Sequence, residues 1–68
     1  MALRMLRRPE VERLTGLSRS TIYQFISEGR FPAPVRLSAR AVAWVDAEVD
    51  DWLRAQLDKR GSAQGRRP

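Results

Sequence analysis

The 68-residue chain contains no cysteine and no histidine. The first absence excludes a disulfide framework, and the two together remove every usual zinc pattern. They also take away the commonest general base and the thiol nucleophile. No sequestered carboxylate pair, metal cluster or phosphate-binding loop compensates, so the chain does not read as an enzyme and no metal, cofactor or small-molecule ligand is expected. Apolar runs are only a few residues long, far short of a membrane span. The N-terminus has arginines but no apolar stretch of signal-peptide length. A cytoplasmic protein is the expectation. The length allows one domain at most, and a domain this small buries little surface unless its core is efficient.

Lysine is almost absent as well. Lys59 stands alone among 13 basic residues, the other twelve being arginine. The net charge is +5, and it is unevenly placed. Residues 1–45 carry eight arginines against Glu10, Glu12 and Glu28. Residues 46–57 reverse the sign, with Arg54 against Asp46, Glu48, Asp50 and Asp51. From Asp58 onward the chain is basic again. A GC-rich genome would account for arginine over lysine, but not for this segregation. A basic front points to a polyanion, most simply double-stranded DNA on the nucleoid.

Along the chain, Leu3, Met5 and Leu6 can supply an edge strand or a cap on the core. Pro9 suits the first position of a helix, with Glu10 and Glu12 in the first turn. Val11 and Leu14 share a face, and Gly16 can end the helix after Thr15. Ser18 is the N-cap of a second helix, with Leu17 as a staple residue against Ile22 and Gly29 just past its end. The stretch FPAPV (31–35) cannot be helical, since its prolines hold the chain extended. VRLSARAVAWV (35–45) alternates on both sides of Ser38-Ala39-Arg40 and reads as a small β-hairpin, with Val35 and Leu37 facing inward. Asp46 caps a third helix with an apolar stripe of Val49, Trp52, Leu53 and Leu57, closed by Lys59 and Arg60.

The expected order is helix, tight turn, helix, hairpin, helix: one mostly α domain over residues 1–60, with 61–68 (GSAQGRRP) as a disordered basic tail. The expected core is Val11, Leu14, Leu17, Ile22, Phe25, Ile26, Phe31, Val35, Leu37, Val42, Trp44, Val49, Trp52 and Leu53.

The second helix carries an unusual outer face. An ordinary surface helix is dressed in Glu and Lys pairs. This one presents Arg19, Ser20, Tyr23, Gln24 and Ser27, with no acid before Glu28. Two short helices joined through a glycine-containing turn form a helix-turn-helix, whose second helix presents its first residues to base edges in the major groove. Small hydroxyls, an amide and a guanidinium are the groups that such a groove selects. Gln24 can pair bidentately with adenine, and Arg19 can reach guanine or a phosphate. The hairpin then serves as a wing, with Arg36 and Arg40 at its tip, while Arg7 and Arg8 can hold the phosphate backbone beside the first helix. The acidic segment is repelled by DNA; it serves capping and solubility, or forms a surface for a protein partner such as a second copy.

The stretch EVERLTGLSRSTIYQFISEGRFPAPVRL followed by RAVAWVDAEVDDWL resembles the AlpA family of small phage-type regulators, which are similar to excisionases and to the DNA-binding domains of MerR regulators. The resemblance covers roughly residues 6–54. It rests on GLSRSTIY, on the Gly-Arg-Phe-Pro-x-Pro-Val junction and on a Trp before an Asp-x-Glu helix. It implies a winged helix-turn-helix domain regulating prophage genes, or alternatively an excision factor that bends DNA for an integrase. The recognition positions it implies are Arg19, Ser20, Thr21, Tyr23 and Gln24, and the implied wing tip is Ser38–Arg40. One departure is plain: Ser38 and Ala39 stand where the family often has glycine. A reading of another class is a protein-interaction module built on the acidic helix. Expected partners beyond DNA are a second copy on an adjacent site, an integrase or RNA polymerase.

Overall fold

A computed structural model describes the backbone of residues 3–64 and side chains up to Arg60. The element order is β1 (Met5–Leu6), α1 (Arg8–Thr15), α2 (Arg19–Ser27), β2 (Val35–Ser38), β3 (Ala41–Val45) and α3 (Asp46–Gln64). The fold is a winged helix-turn-helix in which β2 and β3 form the wing. The hairpin belongs to a three-stranded antiparallel sheet of order β1-β3-β2. Met5 and Leu6 pair with Val45 and Trp44, so the apolar N-terminal residues do supply an edge strand.

The helix signals act as expected at α2. Ser18 is extended, and its Oγ accepts from the Thr21 N–H at 3.2 Å. Gly16 and Gly29 follow α1 and α2 with φ of 74° and 72°, a left-handed conformation that glycine adopts without Cβ strain. α1 begins one residue earlier than expected, so Arg8 lies inside the helix and Pro9 takes its second position. The Arg7 N–H donates to Glu10 Oε1 at 3.2 Å, satisfying one donor at the helix start. Asp46 opens α3 itself, its N–H donating to the Arg4 carbonyl at 2.8 Å. α3 runs on to Gln64, past the end expected at Arg60. Half of the expected tail, 65–68, lies outside the described residues, and the backbone of 61–64 continues α3 in place of the expected disorder.

The core is small and built around β3. Leu6, Val11, Ile22, Phe31, Trp44 and Val49 are buried, with Leu17, Phe25, Ile26, Val42, Trp52 and Leu53 packed against them. Three residues expected inside are outside. Leu14 and Leu37 are each 53% exposed, and Val35 is 42% exposed. For the wing the cause is the register. Arg36 pairs with Val42 but Ser38 pairs with Ala41, which leaves Leu37 as the extra residue of a bulge. β2 is also an edge strand, exposed at all four positions. Burial has moved to the middle strand, where Ala43 and Trp44 are fully covered although they point to opposite faces.

Candidate nucleic-acid interface

The exposed edge of α2 carries Arg19, Ser20, Tyr23, Gln24, Ser27 and Glu28, while Ile22 is buried and Phe25 and Ile26 are half-buried. The helix is held by its concealed side, leaving this edge open. Thr21 differs from its neighbours. It is half-buried, and its hydroxyl accepts from Ser18 Oγ at 2.9 Å, so it closes the N-cap. Ser27 Oγ donates to the Gln24 carbonyl at 2.7 Å and keeps its lone pairs free as acceptors. The Tyr23 ring lies 6.4 Å from that of Trp44 at 59°, tying the exposed edge to the central strand.

At the C-terminal end of α2, Gln24 Nε2 donates to Glu28 Oε2 at 3.2 Å, and Arg30 Nη1 donates to Glu28 Oε1 at 3.1 Å. The Arg30 guanidinium sits 4.5 Å over the Phe25 ring. Sequence reasoning passed over Glu28 and Arg30 as site residues. The spacing of Gln24 and Glu28, four apart on one helix, was the available signal for the first pair.

The wing turns through Ala39 and Arg40, neither of which has a positive φ, so it is neither of the primed hairpin turns. The bulge at Leu37 supplies the twist that those turns would give. Arg36 Nη2 reaches back to the Ala39 carbonyl at 3.5 Å, and Ser38 Oγ accepts from the Arg40 N–H at 3.4 Å. Arg36, Ser38 and Arg40 are all exposed.

The flank and the wing meet. Arg7, Arg8, Pro9, Arg40 and Val42 line a single open groove, so arginines more than thirty positions apart in sequence share one concavity. Arg8 is partly engaged there, with Nε donating to Glu12 Oε2 at 3.1 Å. No ion pair engages Arg7 or Arg40 among the described residues. A concavity lined by cations of one sign concentrates field and attracts an anion.

The acidic stretch lies on α3. Asp50 pairs with Arg54 at 2.7 Å, and Asp46 stands 3.7 Å from Arg4 Nε. Among the described residues, no group of three or more acidic side chains gathers closely enough to hold a metal ion. No helix there is long and apolar enough to cross a membrane.

Comparison with known proteins follows the same outline. The family model described as prophage CP4-57 regulatory protein (AlpA) matches residues 4–57. A protein of Enterobacteria phage P4, ORF88, is 50% identical over 54 residues, covering 79% of this chain and 61% of its own length. The DNA-binding transcriptional activator AlpA of Escherichia coli K12 is 38% identical over 58 residues, covering 76% of this chain and 83% of its own length.

Proposed function

The chain belongs to the AlpA family of prophage regulatory proteins, and from that premise we propose that it binds double-stranded DNA at specific sites as a transcriptional regulator, without catalysis. It works in the cytoplasm, on the DNA of a prophage or related mobile element. Ser20 and Gln24 read base edges, with Arg19, Tyr23 and Ser27 beside them. Arg7, Arg8, Arg36 and Arg40 hold phosphates, and Ser38 shapes the wing tip. Thr21 contributes by fixing the start of α2. The observation that carries this reading is the shared groove of Arg7, Arg8 and Arg40, which joins the N-terminal flank to the wing. The name of the E. coli relative, which is 38% identical, supports the same partner.

A single recognition helix seldom supplies the affinity of a specific regulator. Two copies on adjacent sites are therefore part of the proposal. The direct test is fluorescence anisotropy with two duplexes, the DNA upstream of the protein's own gene and a scrambled copy, across a salt series. Tighter binding to the native duplex at physiological salt supports a site-specific regulator. Equal and steeply salt-dependent binding to both replaces it with an architectural role. Binding to neither overturns the assignment of α2.

A further inference from the structure

We propose that Glu28 is a positioning residue for base reading: it locks the Gln24 carboxamide so that its outward edge offers an acceptor beside a donor, which selects adenine. This rests on the DNA-binding reading of α2 and names what its central amide recognises.

An isolated glutamine amide can turn over, exchanging its donor and acceptor ends. Here it cannot do so without cost. Gln24 Nε2 lies 3.2 Å from Glu28 Oε2, and an ionised carboxylate only accepts. Turning the amide over would set Oε1 against that carboxylate, oxygen to oxygen. One of the two Nε2 hydrogens is used by Glu28. The other, together with Oε1, remains for a ligand. That acceptor–donor pair complements the N6 amino group and N7 of adenine in the major groove.

Glu28 is itself held. Gly29, at φ 72°, reverses the chain after α2. The Arg30 N–H then donates to the Phe25 carbonyl at 2.8 Å. The Arg30 carbonyl accepts from the Trp52 indole at 2.6 Å, so α3 pins the backbone from which the guanidinium extends. That guanidinium lies over Phe25 and binds Glu28 Oε1, leaving Oε2 for Gln24. Arg30 also offsets the carboxylate's charge, which otherwise has no place beside a polyanion. A chain of contacts thus runs from α3 through Arg30 and Glu28 to the amide.

The test uses the full chain. Selection from a randomised duplex pool defines the preferred site of the unaltered protein. Gln24→Ala then identifies the base pair that Gln24 meets, as the position whose preference flattens. Anisotropy with duplexes varied at that pair is compared for Glu28→Ala and Glu28→Gln, with thermal melting to confirm folding. The expected result is adenine at that position and a discrimination of at least about fivefold. Glu28→Ala loses most of it while discrimination at other positions stays. Glu28→Gln keeps more of it than Glu28→Ala but not all, because its single carbonyl oxygen must serve Gln24 or Arg30 where the carboxylate served both. Equal loss in both variants would make charge, not position, the cause and overturn the proposal. Undiminished discrimination in Glu28→Ala, or a preferred base other than adenine, overturns it too. If the unaltered protein has no sequence preference, the DNA-reading role of α2 fails first and takes this proposal with it.

Discussion

The indole N–H of Trp44 donates to the carbonyl of Pro32 at 3.0 Å, across 12 residues of sequence. Trp52 makes the matching bond to the Arg30 carbonyl, and its ring meets Phe31 edge-on at 4.9 Å. The connector Arg30-Phe31-Pro32 is therefore held from the central strand and from α3. It leads from α2 to the wing, so these two bonds set how one lies relative to the other. The bonds differ in setting, since Trp44 is fully buried and Trp52 only half-buried. Trp44→Phe strands the Pro32 carbonyl and leaves a void, for a loss of about 2–3 kcal/mol. Trp52→Phe exposes its carbonyl to water and costs roughly 1 kcal/mol. Urea unfolding of the two variants checks the order. A larger loss for Trp52→Phe would show that the connector hangs mainly on α3.

The wing gives a second prediction. Leu37 occupies the bulge and is exposed, whereas Leu6 in the two-residue strand β1 is 2% exposed. Leu6→Ala should cost about 2–5 kcal/mol, in the range for buried leucines. Leu37→Ala should stay within roughly 1 kcal/mol, as an exposed site does. Comparable losses from the two would mean that the bulge is absent and that Leu37 faces the core.

These two leucines also mark how far the sequence could be read. α2 was legible because its signals are local: Ser18 and Gly29 bound it, and Ile22, Phe25 and Ile26 mark its inner side. The exposed edge with Ser20 and Gln24 followed from the same periodicity. β1 was legible only as a possibility, because a two-residue strand has no period and exists through its partners Trp44 and Val45. The inward assignment of Val35 and Leu37 failed because alternation fixes two faces but not which is covered, and one bulge residue shifts the register. Leu14 failed similarly: it shares a helical face with Val11, but the core takes Leu17 and Ile22 instead. The meeting of Arg7, Arg8 and Arg40 depends on tertiary structure and has no sequence signal.

The turn between α1 and α2 yields a third prediction. Gly16 has φ 74°, and a Cβ added there would meet nothing within 4 Å. Any cost of Gly16→Ala is therefore backbone strain without steric overlap. A non-glycine residue in this conformation costs about 1–2 kcal/mol. Asparagine visits it more readily, so Gly16→Asn should lose less than Gly16→Ala. Chemical denaturation separates them. Equal losses would mean that something other than φ makes glycine necessary at this turn.

The arginine groove gives the last prediction, and it concerns salt. Each phosphate neutralised on duplex DNA adds about 0.9 to the slope of log affinity against log salt. Arg7→Ala and Arg40→Ala should each flatten that slope by roughly 0.9 if they hold separate phosphates. They line one groove, however, so a shared phosphate is the alternative geometry. In that case either arginine alone still neutralises the phosphate, so each single variant barely changes the slope and the double variant flattens it by roughly 0.9. Arg8 is expected to matter less than Arg7, because Glu12 already takes its Nε–H at 3.1 Å. Glu12→Ala should raise the affinity and steepen the slope by releasing Arg8. Anisotropy titrations from low to moderate salt measure all of these on one scrambled duplex, where base reading does not contribute. Unchanged slopes in Arg7→Ala, in Arg40→Ala and in the double variant would remove the groove from the interface and leave Arg36 and the start of α2 as the phosphate contacts.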